Sequence, residues 1–267
     1  MSSMLPDATD VPQENELERV EPPRGVSVGQ AVGWIGEGWR LFARSPVMWI
    51  IAIIILFVIA FAMGLVPIIG QVAFQVLSPV FSAGFVVAAR AIEKGGEFEL
   101  DHLFAGFRRQ FGPLAMVGAI FLVLGLVVLL VLGVFFGFSI VGAFMAGDPE
   151  QMWTAVAASS LALVLGVLVC LALFIPILAA YWFAPPLVMM HGMRPVEAMK
   201  ASFSGSLRNI VPLIVYGIVM MVLGIVAMIP FGLGMFVWVP LLITSSYAAY
   251  RSIFTAERAA APPAPAV

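Results

Sequence analysis

Residues 45–89 read SPVMWIIAIIILFVIAFAMGLVPIIGQVAFQVLSPVFSAGFVVAA, a stretch with no acidic or basic side chain, held between Arg44 and Arg90. A helix crosses a hydrocarbon core of about 30 Å in roughly 20 residues. The stretch is therefore too long for one crossing, and Val-Pro-Ile-Ile-Gly at 66–70 divides it into spans near 47–65 and 71–89. Charge-free runs recur at 110–147, 151–193 and 209–250. The last divides at Pro230-Phe231-Gly232, giving spans near 211–229 and 233–250.

Between these runs the cations alternate. Of the 13 Lys and Arg, Arg19, Arg24, Arg40 and Arg44 precede the first run. Arg90, Lys94, Arg108 and Arg109 follow the second span, Arg194, Lys200 and Arg208 follow the fourth, and Arg251 and Arg258 follow the sixth. The gaps at 66–70, 147–151 and 230–234 contain none. Loops rich in Lys and Arg stay on the cytoplasmic side, so the alternation predicts six transmembrane helices with both termini cytoplasmic. A composition that is 62% hydrophobic and 10% charged, with a mean hydropathy of +1.09, excludes a water-soluble core. It leaves no room for a separate soluble catalytic domain.

The middle pair is longer than a bilayer requires. Residues 113–147 overshoot the core, so this helix must tilt, break near Gly133 or Gly137, or project. Its partner carries Pro176, Pro185 and Pro186, which should kink it. Each pair of spans is preceded by a short segment read as an amphipathic helix on the cytoplasmic face. In the first, Ser27 and Gln30 form a capping-box signature, with Val28, Val32, Ile35, Trp39 and Phe42 at helical spacing. The second begins at Asp101 and carries Leu103, Phe104, Phe107 and Phe111. The third has Pro195 in its first turn and a stripe of Val196, Met199, Phe203, Leu207 and Ile210.

Residues 104–118 align without a gap to 203–217. Phe104, Gly106, Arg109, Pro113, Leu114 and Gly118 match Phe203, Gly205, Arg208, Pro212, Leu213 and Gly217. A weaker third copy runs from Trp39 through Arg44, Ser45 and Pro46. Pro79 lies eleven residues before Arg90, as Pro240 does before Arg251. These matches predict an all-α fold of three parallel hairpin repeats, about 27–94, 95–194 and 195–255, each preceded by its interfacial helix. Residues 1–26, an acidic tail without the features of a secretory signal, and 256–267, rich in Ala and Pro, are expected to be disordered. The first span is then expected to direct insertion.

Residues 77–85, 103–109 and 203–209 (Leu-Ser-Pro-Val-Phe-Ser-Ala-Gly-Phe, Leu-Phe-Ala-Gly-Phe-Arg-Arg and Phe-Ser-Gly-Ser-Leu-Arg-Asn) carry a resemblance to an uncharacterised group of bacterial, mainly proteobacterial, integral membrane proteins. The resemblance covers residues 27–255 and implies a multi-pass inner-membrane location without an activity. More distantly, the layout is similar to membrane domains found beside glycerophosphodiester phosphodiesterases. No phosphodiesterase domain accompanies it here, so no lipid-degrading role follows.

Candidate chemistry is sparse. Gly25-Val-Ser27-Val-Gly29 matches the nucleophile-elbow pattern, but no strand precedes it and no acid–His partners follow, so Ser27 reads as a helix cap. His102 and His191 lack metal-ligand spacing towards Glu97, Glu99 and Asp101, and the region from Glu93 to Asp101 reads as a solvated loop. Gly133-x-x-x-Gly137 fits helix packing within the chain, with dimerisation as the alternative. Cys170 stands alone, so no intrachain disulfide forms. The spans contain no ionisable side chain, which argues against ion-coupled transport. Their Gln71, Gln75, Ser78, Ser82, Ser159, Ser160, Thr244, Ser245 and Ser246 suit hydrogen bonds between helices.

The elbow residues Arg44, Arg109 and Arg208 are the candidate contacts for anionic lipid head groups, or anchors that snorkel to the interface. The sequence therefore points to a non-enzymatic inner-membrane protein, with no cofactor and no metal. Its partners are membrane lipid or another membrane protein, and not nucleic acid. The alternative is a transporter or exporter of a neutral or amphiphilic molecule.

Overall fold

In the computed structural model, residues 18–19, 22–144 and 149–256 are described. Most of both expected tails and the apex of the middle hairpin at Gly147 lie outside them. The described residues form helices joined by short turns, with one two-residue pairing in which Glu18–Arg19 lies antiparallel to Thr255–Ala256. Helix α1 covers Val28–Arg44, α2 Pro46–Gly64 and α3 Ile69–Glu93. A 3-10 turn at Leu100–Phe104 leads into α4, Ala105–Arg109, and then α5, Phe111–Phe144. Helix α6 covers Pro149–Trp182, α7 Ala184–His191, α8 Pro195–Arg208, α9 Ile210–Met228 and α10 Met235–Phe254.

Local chemistry accounts for many of these limits. Ser27 Oγ accepts from the Gln30 amide at 3.3 Å while Gln30 Oε1 accepts from the Ser27 amide at 2.8 Å, closing the expected capping box. Pro46 opens α2, and Pro113 and Pro212 fall in the first turns of α5 and α9, where a missing N–H costs nothing. Helix α6 runs through Pro176 and stops at Trp182, and Pro185 and Pro186 then sit in the first turn of α7. Of the three accommodations expected for the long middle helix, the break does not occur: α5 is continuous through Gly133 and Gly137 and, at 34 residues, is about 51 Å long. Among the described residues, nothing lies within 4 Å of a Cβ built on Gly133 or Gly137.

Five segments are long and apolar enough to cross a membrane: Pro46–Gly64, Ile69–Glu93, Phe111–Val134, Val164–His191 and Ile210–Met228. Helix α10 has the length but carries Thr244, Ser245, Ser246, Tyr247, Tyr250 and Arg251. Thr244, Ser245, Tyr247 and Tyr250 are buried in protein. Tyr216 Oη, on α9, shares a 2.7 Å hydrogen bond with Ser245 Oγ, and Trp238 Nε1 donates to Met220 O at 2.8 Å. The polar groups of α10 therefore face neighbouring helices. By contrast, α2, α5 and α9 present large apolar residues outward along much of their length.

The helices that precede the hairpins pack mainly on a pair other than their own. Helix α1 packs on α10 and α9, the 3-10 turn and α4 pack on α3, and α8 packs on α6 and α7. The first thus closes the chain's beginning onto its end. A Cβ on Gly38 would meet the Ser245 backbone at 2.6 Å, and one on Gly84 would meet Leu103 O at 2.3 Å. Gly38 and Leu103 both lie six residues before an elbow arginine, and Ser245 and Gly84 both lie five residues after Pro240 and Pro79. The two close approaches are thus the same contact, with the small side chain on opposite partners. At the corresponding place in α8, Ser202 Oγ donates to Ala179 O at 2.6 Å and accepts from the Phe183 amide at 3.0 Å.

Candidate functional site

The three elbows have one backbone form. Ser45, Gln110 and Asn209 each follow an arginine and each leave helical geometry, at φ/ψ of −149/55, −141/35 and −117/29. Each carbonyl then accepts from the amide four residues on: Trp49 at 3.2 Å, Leu114 at 3.0 Å and Leu213 at 2.9 Å. One residue ends the preceding helix and opens the next, so Arg44, Arg109 and Arg208 each occupy the last position of α1, α4 and α8.

All three arginines are exposed, and none forms an ion pair among the described residues. Their surroundings differ. Arg44 Nη1 donates to Ile92 O at 2.8 Å, placing a cation on a carbonyl of the last turn of α3, where the helix dipole favours it. Arg208 lies beside Gly25. Its neighbour Asn209 is fully buried: Oδ1 accepts from the Val26 amide and Nδ2 donates to Arg24 O, both at 2.8 Å. The Arg24 amide donates to Ile253 O at 2.8 Å. Residues 24–26, placed within the disordered tail by the sequence reading, are thus bonded to the third elbow.

On α1, the turn into α4, and α8, apolar residues lie on the outward side as well as against the bundle. Large apolar residues face outward: Val28, Val32 and Trp39 on α1, Phe104 before α4, and Val196, Phe203 and Leu207 on α8. Phe104 and Phe203, matched in the sequence alignment, are 42% and 38% exposed. The faces against the bundle are mostly small, with Ala31 and Gly38, Ala105 and Gly106, and Ala198, Ser202, Gly205 and Ser206. Trp34, Leu41 and Phe42 on α1 and Met199 on α8 are buried beside them, and Trp34 Nε1 donates to Ser252 Oγ at 2.8 Å. Small residues allow close backbone approach, which is how helices associate where lipid offers no hydrophobic contrast.

A second cluster, not assembled by the sequence reading, lies at the C-terminal ends of α3, α7 and α10. Glu93 accepts from Arg90 and from Tyr247 Oη, each at 2.6 Å, and is paired with Arg251. Arg251 also reaches Glu37 on α1 at 3.1 Å, and Tyr250 Oη bonds His191 Nε2 at 2.7 Å. Glu93 is thus no part of a solvated loop. Burial of this net is partial, the carboxylate side chain of Glu93 being 18% exposed. The signal that could have found it was the matched spacing of Pro79–Arg90 and Pro240–Arg251, which puts two equivalent arginines at one level. Outside the bundle, Asp101 accepts from Arg108, which holds its carboxyl below the usual range. No group of three or more His, Cys, Asp or Glu that could hold a metal occurs among the described residues.

Long apolar helices, outward apolar surfaces and buried polar pairs define the class: this is a helical integral membrane protein. It is similar to a probable inner membrane protein of Burkholderia thailandensis, with 27% identity over 265 residues, covering 90% of this chain and 96% of that one. No family model and no solved structure matches it. Nothing in these comparisons connects it with phosphodiesterases.

Proposed function

We propose that this chain is a six-span bacterial inner-membrane protein with both termini in the cytoplasm, built from three parallel hairpin repeats closed into a ring. It acts without catalysis, organising anionic lipid or another membrane protein around a cytoplasmic collar. Helix α10 counts as the sixth span because protein covers the polar side chains that lower its hydropathy. The observation that carries the proposal is the outward apolar face of α1 at Val28, Val32 and Trp39, of the turn into α4 at Phe104, and of α8 at Val196, Phe203 and Leu207, each followed by an exposed arginine at the elbow. That arrangement suits an interface in which apolar side chains meet acyl chains and guanidinium groups meet phosphate.

The test is native mass spectrometry of the full chain with phosphatidylglycerol and phosphatidylcholine. Replacing Arg44, Arg109 and Arg208 by Gln should weaken phosphatidylglycerol retention by about 1 kcal/mol, or about fivefold, per arginine. Replacing Arg19, Arg24 and Arg258 should leave it within about twofold. Equal losses from the two sets, or equal retention of both lipids by the native chain, would refute the collar.

A further inference from the structure

The turns that join α2 to α3 and α9 to α10 share a construction that a water-facing turn avoids. In each, a proline is followed by a large apolar residue at positive φ: Ile68 at φ 64° after Pro67, the centre of a γ-turn, and Phe231 at φ 53° after Pro230. Glycine or asparagine is usual there, because a Cβ crowds the following carbonyl, most of all in a β-branched residue such as isoleucine. The strained residues also point away from the protein. Ile68 is 75% exposed, Phe231 is fully exposed, and Leu65, Ile69, Ile229 and Leu233 beside them are 65% to 74% exposed. A turn in water would gain nothing from either feature.

The backbone of both turns is largely closed on itself. Val66 donates to Met63 O, Ile69 to Pro67 O and Gly70 to Val66 O, while Gly232 donates to Met228 O, Leu233 to Pro230 O and Met235 to Gly232 O. The two prolines have no N–H to satisfy. Each hairpin is also pinched at its tip by a glycine. A Cβ on Gly70 would fall 1.6 Å from Met63 O, and one on Gly234 would fall 2.6 Å from Ala227 Cα. Helices α2 and α9 have 19 residues each. At 1.5 Å per residue that is about 28 Å, just short of the roughly 30 Å hydrocarbon core.

We infer that the two turns end inside the hydrocarbon of the leaflet opposite the elbows, as apolar wedges packed against lipid acyl chains. Their exposed side chains continue the outward apolar surfaces of α2 and α9, at Phe57 and Phe61 and at Ile225 and Met228. The inference goes beyond the collar and rests only on these hairpins crossing the membrane. Internal hydrogen bonding is what allows a non-helical segment to sit at that depth.

The experiment is nitroxide labelling of full-length Cys170→Ala protein in phosphatidylglycerol–phosphatidylcholine vesicles, at Ile68→Cys and Phe231→Cys. Phe57→Cys, in mid-span, and Glu97→Cys, in the cytoplasmic loop, are the references. Collision with oxygen at both turn sites should match Phe57→Cys, and collision with a polar nickel chelate should be at least about fivefold below Glu97→Cys. Nickel collision equal to that at Glu97→Cys, with Phe57→Cys still protected, overturns the wedges and leaves the crossing intact. Nickel access at Phe57→Cys as well overturns the crossing itself. Low collision with both reagents at the turns means that protein covers them, which also overturns the inference.

Discussion

The hydroxyl of Tyr247 donates to the carboxylate of Glu93 at 2.6 Å, linking α10 to the last turn of α3 across 154 positions of sequence. The same carboxylate receives Arg90 and Arg251, two arginines that stand at equivalent distances from Pro79 and Pro240, and Arg251 is shared with Glu37. Glu93→Gln should remove the carboxylate that Arg90 and Arg251 share, leaving Arg251 its pair with Glu37, and cost about 2 kcal/mol. Tyr247→Phe removes one hydrogen bond to the charged group and should cost about 1.5 kcal/mol. Thermal unfolding of the purified protein in mild detergent reads both, and an unchanged midpoint for Glu93→Gln would show that the net is incidental.

Gly38 separates two readings of α1. A methyl group there would collide with the Ser245 backbone, whereas nothing lies within 4 Å of a Cβ on Gly33. Gly38→Ala should therefore shift α1 off α10 and lower stability and monodispersity in detergent. Gly33→Ala should raise stability by up to about 1 kcal/mol through helix propensity alone. Size-exclusion profiles and melting curves of the pair check this, with similar behaviour of the two variants as the unfavourable result.

Asn209 holds the strand that leads into α1. Its side chain bonds the Val26 amide, Arg24 O and Gly205 O, and the residue is fully buried. Asn209→Ala should release residues 24–26 and speed tryptic cleavage after Arg24, with Asn209→Asp intermediate because it keeps the acceptor but loses the donor. Limited proteolysis with mass mapping gives the rates. Cleavage after Arg24 at the native rate in Asn209→Ala would mean that other contacts hold the strand.

The Asp101–Arg108 pair makes a pH prediction. The hydrogen bond from Arg108 lowers the Asp101 pKa in the folded chain, so the pair's contribution is present above the ordinary aspartate value of about 3.9. It is lost as pH falls through the lowered folded value. Amide protection at Ala105–Arg109 should hold from pH 7 to about pH 5 and decline only below about pH 4. Asp101→Asn should abolish that step, and a decline beginning near neutral pH would assign it to another group. Hydrogen exchange followed by mass spectrometry resolves this segment.

Much of the local construction was legible without coordinates. The Ser27–Gln30 cap, the prolines in the first turns of α5 and α9, and the alignment of Arg109 with Arg208 reappear as hydrogen bonds and matching dihedrals. Each of these depends on residues within a few positions of one another. Serine hydrogen bonding between helices was legible in kind as well, since Ser78 meets Tyr181 at 2.9 Å and Ser245 meets Tyr216 at 2.7 Å, but not in partner.

The sequence alone determined where apolar helices begin and end and how each elbow turns, because hydrogen bonding and steric limits on the backbone act over a few residues. Only the tertiary structure decided which faces meet. Periodicity marked apolar stripes on α1 and α8, and the structure divides them: Phe42 and Met199 are buried, whereas Val28, Val32, Trp39, Val196, Phe203 and Leu207 face outward, since lipid is as apolar as leucine and cannot drive them together. Small residues and polar pairs decide the packing instead, and Gly38 against Ser245, Trp34 against Ser252 and Glu93 against Arg251 are brought together from positions more than 150 residues apart. Such pairings leave no periodic trace. They follow from the chain closing its first helix onto its last hairpin.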